Sequence, residues 1–508
     1  MKPTILKNKK INYLKIFAEK IDFNQYPGKK FWESIYEKLQ KNALTRSRKD
    51  YQKITKHIIS KHLNIDQNKI VFVDHHACHA AFAYYSTPCP GNKVLICTGD
   101  AWGDGCNATI NVSVNGEIKR KKTIKNFIIP RLYRSMTLLL GMKPDEHEYK
   151  LMGLAGYGRK EFYKKELSLF RSLQKSKGIL FQYVKKPKDL FWSIRKSLEC
   201  SRFDNIASAL QAYSEEQMER WIGNSLKKFN CSYVAFGGGA AMNMKAMLKI
   251  SKNRLCKKIF IGPSPADESL AIGACFAWAA KKIKEKNISP KKIIKPLNDS
   301  YLGFANTEDD VRQIIKNCTK SKKILLKKYS PEIVAKDLSL GKIIGRCVGK
   351  GEFGARSLGN RAILADPSKI ESVKKINETI KSRDFWMPFA PTILDSDEKK
   401  FIRNPRNNIF PYMTLGAETV PNNRKQIQAG IHPGDFTCRP QVLKFEQNPS
   451  YYKLIYEFKK ITKIGALLNT SFNQHGSPII QSAKEAFHLF LKTNLDGLIL
   501  ENIYFLKK

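Results

Sequence analysis

The sequence predicts an α/β protein of two domains, and three observations carry that reading. Short strand-like runs at 70–73, 94–97, 108–114, 232–236 and 258–261 alternate with stretches of helical periodicity, the pattern of a sheet covered by helices. At 508 residues the chain is too long for one ordinary core. A second set of strand-like runs, near 343–348 and 466–468, follows a segment at 281–298 where Lys, Ile, Pro and Asn displace a Gly/Ala-rich helix. The boundary therefore falls near residue 298, giving domains 1–297 and 298–508.

In chain order, the first 65 residues read as helical and basic, with an amphipathic stretch at 31–39. The apolar run 70–73 leads into His75-His76-Ala77-Cys78-His79, which holds three of the nine histidines. If the segment after Asp74 is helical, His75 and His79 stand at i and i+4 on one face, close enough to share a metal ion. That spacing is the helical half of a zincin site, but position 76 is His where that chemistry needs Glu, so a metalloprotease is excluded. The strand at 108–114 meets Asn115-Gly116, a hairpin turn signal. A long helical middle then leads to the strands at 232–236 and 258–261.

Composition narrows the function classes. No run of 18 apolar residues exists, and the N-terminus lacks the apolar core and cleavage site of a signal peptide, so a cytoplasmic protein without membrane segments is expected. Eleven cysteines without a Cys-x-x-Cys pair argue against a disulfide framework and a zinc ribbon. Lys and Arg number 90 against 45 Asp and Glu, a net +45. The excess is spread in small concentrations at 119–122, 185–188 and 281–295, with no basic stripe and interleaved aromatics, so a lysine-rich composition is favoured over a nucleic acid partner.

Several segments need their residue types. Thr98-Gly99-Asp100-Ala101-Trp102-Gly103-Asp104-Gly105 follows a buried strand. Its glycines admit phosphate oxygens to the backbone, and an Asp there can hold the accompanying divalent cation. Gly237-Gly238-Gly239-Ala240-Ala241-Met242-Asn243 also follows a strand and suits a nucleotide lying against the backbone, though it is neither a Rossmann nor a Walker loop. Asp267 opens a helix, where capping is its ordinary role, yet His75, His79 and Asp267 together make a two-imidazole, one-carboxylate set suited to non-haem iron or another divalent metal. Arg356 and Arg361 lie five apart in the glycine-bounded loop 351–361, with Arg383, Arg439 and Asn469-Thr470-Ser471-Phe472-Asn473 beyond, and read as an anion pocket.

The segments 74–80, 148–158, 238–243, 351–361 and 469–473 occur in the order and approximate spacing of the NodU/CmcH O-carbamoyltransferase family, which the chain resembles over residues 70–508. The resemblance implies an N-terminal actin-like, sugar-kinase-type nucleotide-binding domain joined to a C-terminal YrdC-like domain. It implies that Arg356, Arg361, Arg383, Arg439, Asn469 and Ser471 take carbamoyl phosphate. Released carbamate would attack the α-phosphate of ATP to give carbamoyl adenylate, and a hydroxyl of a sugar or secondary metabolite would then displace AMP. His75, His79 and Asp267 match the family's metal ligands, with Fe2+ expected there and Mg2+ with the nucleotide. Gly103, Gly238, Gly239 and Asn243 are expected against the nucleotide, with Asp100, Asp104 and Glu148 the candidate acid–base groups. Residues 1–61 show neither the family's opening strand nor its His-Asp phosphate loop, so the first domain is expected to lack its first strand. A tRNA threonylcarbamoylation-type enzyme and an N-terminally truncated, inactive homologue are the alternatives.

Overall fold

The computed structural model describes residues 48–508 apart from 91–92, 319–322 and 475. Compact packing divides the chain into two units, Met1–Val73 and Asp74–Lys508. The described part of the first is helix α1 (Arg48–Leu63) and a short 3-10 turn, Gln67–Lys69, whose N-cap Asp66 accepts the Asn68 N–H at 2.7 Å. The amphipathic stretch at 31–39 lies outside the described residues. The run 70–73, expected as a strand, is not one: it joins no sheet among the described residues, and Val71 and Phe72 stay exposed. β propensity makes a strand only where a neighbour takes the ladder bonds.

The second unit is mixed α/β and holds both large sheets. Strands β1 (Val94–Gly103), β2 (Cys106–Val114) and β3 (Glu117–Ile124) form an antiparallel meander, and β4 (Tyr233–Gly237) and β5 (Lys258–Phe260) add in parallel on the other edge of β1. The expected hairpin turn is present, with Asn115 and Gly116 both at positive φ, the conformation that the Asn-Gly pair favours. Val94, Leu95, Ile96 and Cys97 are buried on both faces because helices cover both. On one face lie α2 (His75–Tyr85) and α4 (Leu270–Glu285). On the other lies α3 (Phe203–Phe229), whose Trp221 packs with Phe127, Phe181 and Phe236. Helices α2 and α4 touch at Gly273, where a Cβ would come within 2.2 Å of the Cys78 carbonyl oxygen.

The second sheet has eight strands: β6 (Ile324–Lys328), β7 (Ile344–Cys347), β8 (Arg361–Ala365), β9 (Ala390–Leu394), β10 (Gln441–Leu443), β11 (Ala466–Ser471), β12 (Gly497–Leu500) and β13 (Ile503–Lys507). Their order is β10-β9-β11-β8-β7-β12-β13-β6, with β9/β10 and β7/β12 parallel and the other pairings antiparallel. The connection at 281–298 is not a loose tether. Ser289 Oγ donates to the Asn115 carbonyl at 2.6 Å, Leu297 N–H donates to the Ser86 carbonyl at 3.1 Å, and Ile294 is buried. The largest buried apolar cluster draws on both sheets, so residues on either side of 298 share one core.

Candidate active site

Asp74 caps α2, its carboxylate accepting the Ala77 N–H at 2.9 Å, and the helix that starts there puts His75 and His79 on one face. Their Nε2 atoms lie 3.2 Å apart. His79 Nε2 is 3.3 Å from Asp100 Oδ2 and 3.3 Å from Asp267 Oδ1, and His75 Nε2 is 3.8 Å from each. The tip of β1 supplies Asp100, and the turn into α4 supplies Asp267. One ligand atom from each of the four lies within 4.8 Å of the other three. Atoms about 3 to 3.5 Å apart are what bonds of about 2.0–2.2 Å to a common ion require, so this donor set fits a divalent metal. Burial would raise the Asp100 carboxyl, but His75, His79 and the Gly239 N–H hold it well below the usual carboxylate range, ionised and ready to ligate. Burial would likewise lower the His79 imidazole, and Asp100 and Asp267 outweigh it.

The third histidine of the cluster serves packing. His76 is fully buried, its Nδ1 2.8 Å from Thr98 Oγ1 and its Nε2 3.3 Å from the Cys106 carbonyl oxygen. A carbonyl only accepts, so Nε2 carries the proton, and burial pushes the imidazole down to about 4, leaving it neutral. Asp104, a candidate acid–base group, accepts the backbone N–H of His75 at 2.8 Å and does not line the cavity described below. Gly103 does not line it either, but it bounds His75: a Cβ there would sit 2.1 Å from His75 Cδ2 and 2.6 Å from Nε2. Gly103→Ala is therefore expected to displace the ring and weaken metal binding about 10- to 100-fold, as loss of an orienting neighbour does, measurable by metal titration.

Asp100, Asp267 and Glu148 line a cavity of about 830 Å³ that runs on to the second sheet. Gly239 and Asn243 line it as well, and the Gly239 N–H donates to Asp100 Oδ2 at 3.0 Å. Gly238 lies outside the lining. Its positive φ and a would-be Cβ only 2.4 Å from the Gly99 carbonyl oxygen show that it lets two backbones cross. Asn243 caps the helix Met244–Ser251 and bonds to Gln211 and Tyr133. Glu148 opens the helix Glu148–Leu154, accepts the Asp145 N–H at 2.7 Å, and burial raises its carboxyl.

At the far end the cavity is lined by Arg356, Arg383, Arg439, Lys381, Asn469 and Ser471. The Nε of each of the three arginines is buried without a hydrogen-bond partner. Burial pushes the Arg356 guanidinium down to about 10 and lowers Arg383 and Arg439 as well, the cost of holding like charges away from water. Buried guanidinium donors without partners, grouped along one cavity, are the chemistry that suits an anion. Lys381, which the motif reading passed over, joins them: its Nζ donates to Ser471 Oγ at 3.0 Å and to the Ser471 carbonyl and Asn473 Oδ1. A signal existed in its position two residues before Arg383, in a cation pair leading into the proline-bounded strand. Asn469 is held by the Ser357 carbonyl and Thr392 Oγ1, both at 3.1 Å.

Arg361 differs from expectation and does not join the arginine cluster that lines the cavity. Its five N–H donors go to five carbonyl oxygens, those of Gln481, Val348, Asn360, Phe304 and Gly349, at 3.0–3.3 Å, and it does not line the cavity. The loop is shaped from within by Glu352, whose Oε1 accepts the N–H groups of Leu358, Asn360 and Arg361 at 2.8–3.1 Å. Arg361→Leu would strand those carbonyls, and a loss of roughly 3 kcal/mol in unfolding free energy is expected by urea titration.

Sequence comparison identifies the family. The profile described as Carbamoyltransferase N-terminus matches residues 5–276, and that described as Carbamoyltransferase C-terminus matches 335–507. The Methanocaldococcus jannaschii protein MJ1051 is 32% identical over 85% of this chain and 82% of its own. Nodulation protein NolO of Bradyrhizobium diazoefficiens is 30% identical over 70% of this chain and 64% of its own. The solved structure of T. kodakarensis HypF aligns over 46% of this chain and 39% of that one, at 15% identity and a TM-score of 0.31. With both profiles matching in sequence order across most of its length, the chain belongs to the carbamoyltransferase family of enzymes.

Proposed function

We propose that the protein is an ATP-dependent O-carbamoyltransferase that uses carbamoyl phosphate to carbamoylate a hydroxyl of a sugar or secondary metabolite. The observation that carries this reading is a single cavity lined by Asp100 and Asp267, two carboxylates of the four-donor His75, His79, Asp100 and Asp267 cluster, and also by the basic cluster Arg356, Arg383, Arg439 and Lys381. In this reading residues 1–297 act as an actin-like transfer domain and 298–508 as a YrdC-like donor domain. Arg356, Arg383, Arg439 and Lys381 hold the phosphate of carbamoyl phosphate, and water cleaves it to carbamate and inorganic phosphate. The carbamate oxygen bonds to the α-phosphorus of ATP as pyrophosphate leaves, giving carbamoyl adenylate. The acceptor oxygen then bonds to the carbamoyl carbon, AMP leaves, and the hydroxyl proton passes to a carboxylate, with Glu148 the candidate in the lining. Gly239 and Asn243 lie where the nucleotide would, with Mg2+ accompanying its phosphates. His75, His79, Asp100 and Asp267 would hold a divalent metal, Fe2+ among those their nitrogen and oxygen donors suit, which would supply positive charge to oxygens that become more negative during transfer. A path closed to water between the two ends would protect the intermediate.

The test is exchange of labelled pyrophosphate into ATP, run with metal and with or without carbamoyl phosphate. Exchange that depends on carbamoyl phosphate supports the reading. Exchange that is absent in the metal-loaded wild type refutes it.

A further inference from the structure

Glu268 is assigned no part in the reaction outlined above, yet it lines the same cavity, one residue beyond Asp267 and facing the arginine end. Its carboxylate accepts the Ser264 hydroxyl, and Ser264 backs directly onto the loop that carries Arg356: a Cβ at Gly354 would meet Ser264 Cβ at 2.5 Å. The turn that bears Asp267 and Glu268 is therefore packed against the anion loop. Of the other charged groups at that end, Arg383, Arg439 and Lys381 add positive charge, and Asp384 is held by Lys150 at 2.9 Å. Glu268 is the leading acidic influence on Arg356, partly offsetting the cost of burying that guanidinium.

We propose that Glu268 is a positioning residue that works through Arg356. From its exposed place in the cavity lining its carboxylate stabilises the ligand-free cation pocket, and so sets how tightly the pocket holds a phosphate-class anion and how readily it lets the product phosphate go. The inference rests on the reading of the arginine cluster as the carbamoyl phosphate site. The physical reason is competition: a carboxylate near a guanidinium lowers the free energy of the empty pocket and repels an arriving dianion, so both effects weaken anion binding.

The experiment is calorimetric titration of the full chain with inorganic phosphate, for wild type, Glu268→Gln, Glu268→Asp and Arg356→Ala. Glu268→Gln keeps the size and the Ser264 partner and removes the charge. It is expected to tighten phosphate binding about two- to fivefold, the range open to an exposed carboxylate, to lower kcat through slower product release, and to strengthen inhibition by phosphate. Glu268→Asp restores the charge and is expected to return all three readouts toward wild type. A parallel metal titration, unchanged in Glu268→Gln, shows that Asp267 is not disturbed. Phosphate binding to Glu268→Gln that equals wild type or is weaker overturns the proposal, provided Arg356→Ala abolishes binding. If wild type itself binds no phosphate, the donor-site reading fails and this inference fails with it.

Discussion

His79→Ala is expected to lower carbamoyl-phosphate-dependent pyrophosphate exchange by at least about 10²- to 10³-fold, the scale on which one preorganised electrostatic group contributes to catalysis. The position is the centre of its set. His79 Nε2 lies within 3.3 Å of all three other donors, whereas His75 is 3.8 Å from both carboxylates. Without the imidazole the set loses a nitrogen donor, and metal affinity falls with activity. Because the His79 side chain is fully buried, the variant also leaves a small void, so circular dichroism and a melting curve accompany the assay. Metal content by atomic absorption separates the two effects. A folded variant that keeps full metal content and full exchange would overturn the assigned role.

The second large effect has opposite signs for function and stability. Arg439→Met is expected to abolish measurable phosphate binding and carbamoyl phosphate turnover, while raising the ligand-free unfolding free energy by about 1–2 kcal/mol. Arg439 is buried among like charges: Arg356 and Arg383 both act to lower its guanidinium, and its Nε has no partner. Removing one charge from such a group relieves repulsion and desolvation in the empty protein, at the expense of the ligand's grip. Calorimetry with phosphate and thermal unfolding without it measure the two halves. A variant that loses both stability and binding would show that Arg439 is there for packing.

Local signals placed much of this in view. The capped helix with His75 and His79 at i and i+4, the Asn115-Gly116 turn and the glycine-rich crossing at 237–239 are each written in consecutive residues, where spacing alone decides geometry. The run 70–73 misled because β propensity says nothing about whether a partner strand exists. Arg361 misled for a related reason. Arg356 and Arg361 share a loop and a residue type, but Arg361 opens β8, and that register turns its guanidinium into a cage of carbonyls.

From the amino-acid order alone came the α/β class, the paired imidazoles, three of the arginines that line the cavity and the resemblance to the carbamoyltransferases, because each is encoded in short motifs or in their succession along the chain. Tertiary structure alone decided that Asp100, 21 residues from His79 and 167 from Asp267, joins them and His75 in one four-donor cluster, that Lys381 joins the arginine cluster, and that Asp100, Asp267 and those arginines line one cavity. Such facts depend on which strand tip and which helix start meet across a sheet, and that is set by packing between elements distant in sequence.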